Sequence, residues 1–121
     1  MGAKLEKEIE RECLAYLARS GWWPWKNPTL GVYDVKAGSF RTNSNPFALN
    51  GTSDIIAIRS GVVLFIEVKT PKGKQSKAQK LFEKCITERG GHYFLVRSRQ
   101  ELEEILDGLQ TQWQATRDKL A

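Results

Sequence analysis

Asp54, Glu67 and Lys69 have the types and the spacing that a hydrolytic site could use. Asp54 precedes one aliphatic run, Ile55 to Ile58, while Glu67 and Lys69 close a second, Val62 to Val68. Ser60-Gly61 lies between them, a small residue plus glycine of the kind a tight hairpin turn requires. With those two residues as the loop, Arg59 pairs with Val62, and counting outward pairs Ile58 with Val63, Ala57 with Leu64, Ile56 with Phe65 and Ile55 with Ile66. Asp54 then faces Glu67. Directly opposed Cβ atoms lie about 4.5–5.5 Å apart, so the two carboxylates would sit side by side. Lys69 shares their face, because side chains alternate along a strand. Two anions and an ammonium at the end of an apolar hairpin call for a partner, since buried charges are paired or coordinate metals. Hard oxygen ligands favour Mg²⁺ or Mn²⁺ over zinc. On these residues alone two alternatives stay open: a solvated hairpin end with a surface Glu67–Lys69 salt bridge, and a three-residue Arg59-Ser60-Gly61 loop that would set Asp54 opposite Ile66.

The elements that would position this hairpin follow from periodicity and punctuation. Residues 4 to 20 read as a helix stopped by Gly21, with Leu5, Ile9, Cys13, Tyr16 and Leu17 on one stripe. Glu6 falls inside that stripe and Glu10 at its edge, whereas Glu8 and Glu12 point away. Glu6 either complements the positive end of the helix or reaches toward the carboxylates, with Glu10 as the reserve. Trp22-Trp23-Pro24-Trp25 reads as an aromatic plug where this helix meets the sheet, with base stacking as the lesser option. From Lys26 to Ser53 periodicity is lost, apart from a short strand expected near Gly31–Val35. A loop of this length before Asp54 is a candidate wall of a nucleic-acid groove, with Lys26, Lys36 and Arg41 as phosphate contacts.

After Lys69 the sequence makes a basic turn, Thr70 to Gln75, whose Lys72 and Lys74 are further candidate contacts. Ser76-Lys77-Ala78-Gln79 then has the spacing of a capping box opening a helix to Arg89. Ala78, Leu81, Phe82, Cys85 and Ile86 are its expected buried stripe. Gln79 on the rim is explained as well by the cap as by a role in the site. Gly90-Gly91 ends the helix, and His92–Arg97 reads as a buried strand, parallel to the second hairpin arm through a right-handed crossover. Ser98 caps a last helix with Leu102, Ile105, Leu106, Leu109 and Trp113 on one stripe. The expected class is α/β, with a mixed central sheet flanked by helices in the order α-β-β-β-α-β-α.

Composition bounds the rest. The 121 residues suffice for one domain, 1–121, with a single core. Lys and Arg number 19 against 14 Asp and Glu, a net charge of +5 that fits a polyanionic partner without specifying one. No apolar run approaches the roughly 20 residues of a membrane span, and the charged start carries no signal-peptide core, so a cytoplasmic location is expected. Cys13 and Cys85 fall on apolar helix sides and read as reduced core thiols; with one histidine, a structural zinc site is not expected.

Taken together, an acid on the first helix, Gly51-x-x-Asp54, Glu67-Val68-Lys69 and Ser76-x-x-Gln79 resemble the PD-(D/E)XK nuclease superfamily, and more narrowly a stand-alone VRR-NUC domain. The resemblance runs from about Leu5 to Arg97 and includes Trp25-Lys26-Asn27 and Gly90-Gly91. Ser53 stands where a proline is expected. The resemblance implies a Mg²⁺-dependent phosphodiesterase acting on DNA. It further implies Asp54, Glu67 and the Val68 carbonyl as metal ligands, Lys69 as the catalytic lysine, Gln79 as the motif glutamine and Glu6 as the helix-one acid. Similar stand-alone proteins resemble Holliday junction resolvases, so a homodimer acting on branched or four-way DNA is expected, with the last helix or the first at the contact. The competing expectations are a nickase or flap-type nuclease with looser structure preference, and a catalytically silent nucleic-acid-binding module.

Overall fold

The structure, a computed structural model, describes residues 4–27, 32–34, 39–41 and 51–120, with only the backbone described for 32–34 and 39–41. Its elements in chain order are α1 (Glu6–Arg19), β1 (Trp23–Lys26), β2 (Val32–Asp34), β3 (Ser39–Arg41), β4 (Ile55–Arg59), β5 (Val62–Val68), α2 (Lys77–Glu88), β6 (His92–Val96) and α3 (Arg99–Leu120). Four strands form one mixed sheet in the order β1-β4-β5-β6, and β2 and β3 pair separately.

The β4–β5 hairpin has the register read from the sequence, Arg59 opposite Val62 through Ile55 opposite Ile66. Ser60 and Gly61 both have positive φ, 51° and 79°, the geometry of a two-residue turn whose twist matches the strands it joins. The three-residue alternative is thereby excluded. β6 runs parallel to β5, with Glu67 beside Leu95 and Val68 beside Val96. On the other side, β1 pairs antiparallel with β4, Trp25 opposite Ile56 and Lys26 opposite Ile55. The stretch read as an aromatic plug is therefore an edge strand. Pro24 conceals it from a pattern search, yet an edge strand tolerates the missing N–H. The strand expected near Gly31–Val35 forms as β2 but belongs to the small separate sheet.

One sheet face carries the core. Ile55, Ala57, Leu64, Ile66, Val68 and Val96 are buried there against Ile9, Cys13 and Leu17 of α1 and Leu102 and Leu106 of α3. Each fully buried aliphatic side chain contributes about 1.5–3 kcal/mol relative to exposure. α1 ends at Gly21, where φ of +86° lets Trp22 N–H donate back to the Leu17 carbonyl at 3.0 Å and turns the chain straight into β1.

Several expectations about buried faces need correction. Leu5 is 65% exposed and Glu6 is exposed, because the first turn of α1 projects past the edge of the core. Leu81 is 62% exposed, since α2 covers only part of the opposite sheet face and turns Phe82 inward alone. Conversely, the α3 stripe meets its own sheet: Leu102 and Leu106 are buried, and Ile105, Leu109 and Trp113 pack on the core. The spare apolar face expected to drive pairing through α3 is thus used within the chain. Cys13 is a free, fully buried thiol whose pKa burial pushes up to about 12, and Cys85 is free and half-buried.

Candidate active site

β4 and β5 deliver the two acids together. Asp54 stands one residue before β4, and its Oδ2 accepts the Val68 N–H at 2.8 Å, continuing the hairpin ladder with a side chain in place of a carbonyl. N–H and C=O of one residue point to the same edge of an extended strand, so the Val68 carbonyl also faces Asp54. Glu67 is wholly buried. Its Oε1 accepts the Gln79 side-chain amide at 2.9 Å and lies 3.9 Å from Lys69 Nζ, whereas Oε2 has no partner. Burial, followed by the neighbouring Asp54 carboxylate, raises the Glu67 pKa well above the carboxylate range, and Lys69 opposes the rise. The Lys69 side chain is itself 14% exposed.

Gln79 is part of the cap and part of the site at once. Its Oε1 accepts the Ser76 N–H at 2.8 Å while the Gln79 N–H donates to Ser76 Oγ at 3.1 Å, which is the complete capping box. That leaves the amide Nε2 free to hold Glu67. The partner of Gln79 is therefore a carboxylate, not Lys69. One end of this side chain thus closes the cap and the other meets the Glu67 carboxyl.

Glu6 comes to the same place from α1. Although exposed, its carboxyl is raised in pKa by partial burial and then by the charge of Asp54, with Lys69 lowering it, and it in turn raises Glu67. Glu10, the reserve candidate, is instead buried and ion-paired with Lys26 at 3.2 Å. Lys26, read as a candidate phosphate contact, thus pairs with an acid while its side chain stays 58% exposed. Lys72 and Lys74 are exposed on the turn after Lys69. Arg41 lies in β3, and Lys36 falls outside the described residues.

Three supports were not foreseen. Asn27 N–H donates to the Asp54 carbonyl at 2.7 Å and its side-chain amide to Thr52 Oγ1 at 3.0 Å, tying the approach to Asp54 onto the end of β1. Gly51, at φ +72°, packs directly on the α2 backbone at Ala78 and Gln79, where any Cβ would overlap main-chain atoms. Arg97 Nη1 donates to the carbonyls of Thr70 at 2.6 Å and Gly73 at 2.7 Å, fixing the basic turn to the end of β6. The Gly51-x-x-Asp54 spacing hinted at the second of these; the other two are long-range contacts with no local signal.

Among the described residues no three His, Cys, Asp or Glu side chains gather as metal ligands. The donor set is smaller: two touching carboxylates, one with an orphaned buried oxygen, and a main-chain carbonyl. That set suits Mg²⁺ or Mn²⁺, which are bound through one or two carboxylates with water and substrate oxygens completing the shell. A cavity of about 720 Å³ opens at the other end of the hairpin, lined by Trp22, Arg59, Trp113 and Arg117 among others, and holds no acid. Chemistry rather than concavity identifies the Asp54–Glu67 end as the candidate active site.

A mixed sheet with α1 and α3 on one face, α2 on the other and acids at the end of the central hairpin is a restriction-endonuclease-like fold. In fold the chain is similar to a solved structure described as a VRR_NUC domain, over 84% of this chain and 94% of that one, with a TM-score of 0.61 at 18% sequence identity. No protein-family model and no curated protein matches the sequence. Among the described residues no helix is long and apolar enough to cross a membrane.

Proposed function

We propose that this protein is a metal-dependent DNA endonuclease that hydrolyses phosphodiester bonds. The observation that carries the reading is the wholly buried Glu67 carboxylate, with one oxygen unpartnered and Asp54 and Lys69 beside it. A buried carboxyl beside a second, half-buried one is costly on its own and becomes favourable with a divalent cation. Asp54, Glu67 and the Val68 carbonyl would hold Mg²⁺ or Mn²⁺, which when bound activates water and neutralises charge developing on the phosphate. Lys69 presents an ammonium where negative charge accumulates on the phosphoryl oxygens. Gln79 fixes the Glu67 rotamer through one amide bond, leaving Oε2 for the metal side. Glu6, from the open side, shares the field of Asp54 and Lys69 and acts through solvent. Lys72 and Lys74, exposed on a turn that Arg97 immobilises, supply cations for the flanking phosphates.

The similarity of fold to a VRR_NUC domain and the sequence resemblance both support this reading. The finer reading is a junction resolvase working as a two-fold pair, which would place two active sites on one four-way substrate. Because α3 spends its apolar stripe on its own sheet, such pairing would use another surface.

Cleavage of labelled four-way, flap and duplex DNA with and without Mg²⁺ tests the proposal. Asp54→Asn and Glu67→Gln are expected to abolish cleavage while DNA binding stays normal or tightens. Undiminished Mn²⁺ affinity of both variants by calorimetry would remove the site assignment. Paired cuts on the junction separate a resolvase from a nickase, and Mg²⁺-independent binding without cleavage by the unmodified protein would indicate a silent binding module.

A further inference from the structure

The sheet face that carries Asp54 and Glu67 is covered on one side only. α2 lies toward β6, where Phe82 packs edge-on to Phe65 and Tyr93 with ring centroids 5.6 and 6.1 Å apart. Toward β1, no helix among the described residues reaches that face. Alternation along β1 sends Pro24 and Lys26 to the α1 side, where Lys26 meets Glu10, and sends Trp23 and Trp25 to the face of their partners Ile58 and Ile56. Asp54, two residues before Ile56, has the same parity. Trp23 is 72% exposed and Trp25 37%, and their rings lie 5.6 Å apart, tilted by 55°.

Exposed indole surface is unusual, since a tryptophan can bury some 150–250 Å² and Trp23 forgoes most of that and Trp25 about a third. The preceding residue shows the ordinary outcome: Trp22 is 4% exposed, packed 6.4 Å from Trp113 in the core. Of its four indoles the chain therefore gives Trp22 and Trp113 to the fold and turns Trp23 and Trp25 toward the active-site face. From strand spacings, Trp25 lies about 8 Å and Trp23 about 14 Å from Asp54, backbone to backbone. Their tilt and separation do not match a stacked duplex, whose steps are about 3.4 Å per strand. They suit two bases splayed from a strand, each offering a π-face that a paired duplex hides except at its ends.

We propose that Trp23 and Trp25 are a stacking platform for unpaired nucleobases on the strand that passes the Asp54–Glu67 site. The proposal rests on the nucleic-acid reading above and narrows it: the substrate has single-stranded character beside the cut. Stacking is sequence-tolerant and adds no phosphate contact, so loss of a ring weakens single-strand binding with little change in its salt dependence.

The test is titration of labelled oligothymidylate and of a blunt duplex of equal length, without divalent metal, against the unmodified chain, Trp23→Ala, Trp25→Ala and the corresponding phenylalanine variants. Trp23 is mostly exposed and Trp25 about one-third, and denaturant melting checks that each variant folds, the phenylalanine variants keeping the packing of the part of Trp25 that is covered. Each alanine variant is expected to weaken oligothymidylate binding about tenfold, with duplex binding changed less than twofold and phenylalanine restoring most of the loss. Equal loss on both nucleic acids, no loss on either, or a shift in the sedimentation of the protein alone, which would mark a contact between copies, overturns the platform. Duplex cleavage that persists with Mg²⁺ while the alanine variants bind normally would remove this inference and leave the nuclease reading standing. Failure of the unmodified chain to bind either nucleic acid would remove both.

Discussion

Replacing Gln79 separates a helix cap from a catalytic brace in one measurement series. Gln79→Ala removes two bonds: the Ser76 N–H loses its acceptor, and the Glu67 carboxylate, wholly buried and already lacking a partner at Oε2, loses the donor at Oε1. A neutral hydrogen bond contributes about 0.5–1.5 kcal/mol, and one to a charged group about 1.5–3. Glu67 holds its proton in the metal-free protein at neutral pH, so both bonds are neutral and the expected loss is about 1–3 kcal/mol. Ser76→Ala removes the other half of the box and leaves the Glu67 contact in place, so about 1 kcal/mol is expected from the lost cap alone. In a Glu67→Ala background the Gln79 amide has no such acceptor to lose, and its truncation should cost about 1 kcal/mol less than in the unmodified chain. The measurement is a double-mutant cycle by urea unfolding at neutral pH without metal, paired with Mg²⁺-dependent cleavage rates. Equal effects of Ser76→Ala and Gln79→Ala on stability, with no coupling to Glu67 and unchanged cleavage, would show Gln79 to be a cap and nothing more.

Three further outcomes follow from the same geometry. Glu67 holds its proton in the folded protein at pH values where the unfolded chain, near 4.5, has released it, so metal-free stability falls as pH rises above that value; Glu67→Gln flattens the trend, as denaturation between pH 5 and 8 will read out. Gly51→Ala forces an unfavourable φ and a Cβ into the α2 backbone, and a loss of about 2 kcal/mol or more is expected in thermal unfolding, together with lower cleavage because Asp54 and Gln79 move apart. Arg97→Ala releases the carbonyls of Thr70 and Gly73, so amide exchange at residues 70–75 should accelerate and DNA affinity fall; unchanged protection there would mean the clamp holds nothing.

The hairpin was legible because alternation and the Ser60-Gly61 turn jointly fix one register, and that register alone brings Asp54 to Glu67. The parallel placement of β6 followed from the crossover rule, and both glycine stops from the need for positive φ, as Gly21 and Gly90 show. β1 escaped notice because Trp-Pro-Trp lacks the strand pattern and its pairing partner, β4, lies some 30 residues further on. Periodicity also misplaced Leu5 and Leu81, since a helical stripe says which side chains align but not where the sheet beneath them ends. Arg97 donates to main-chain carbonyls and Asn27 to a carbonyl and a hydroxyl far away in the sequence, and such contacts leave no spacing to read.

Asp54, one residue before β4, and Glu67, inside β5, stand at equal counts from the hairpin turn, and this parity limits how the chain can change in length. One residue added within either arm would carry that arm's acid through the sheet to the side packed by α1 and α3, beyond the reach of its counterpart. A residue added at the Ser60-Gly61 end alters neither arm, because the ladder begins after it. Insertions and deletions in chains of this design are thus confined to the turn tip and to the segments before Gly51, while the interval from each acid to the turn stays constant.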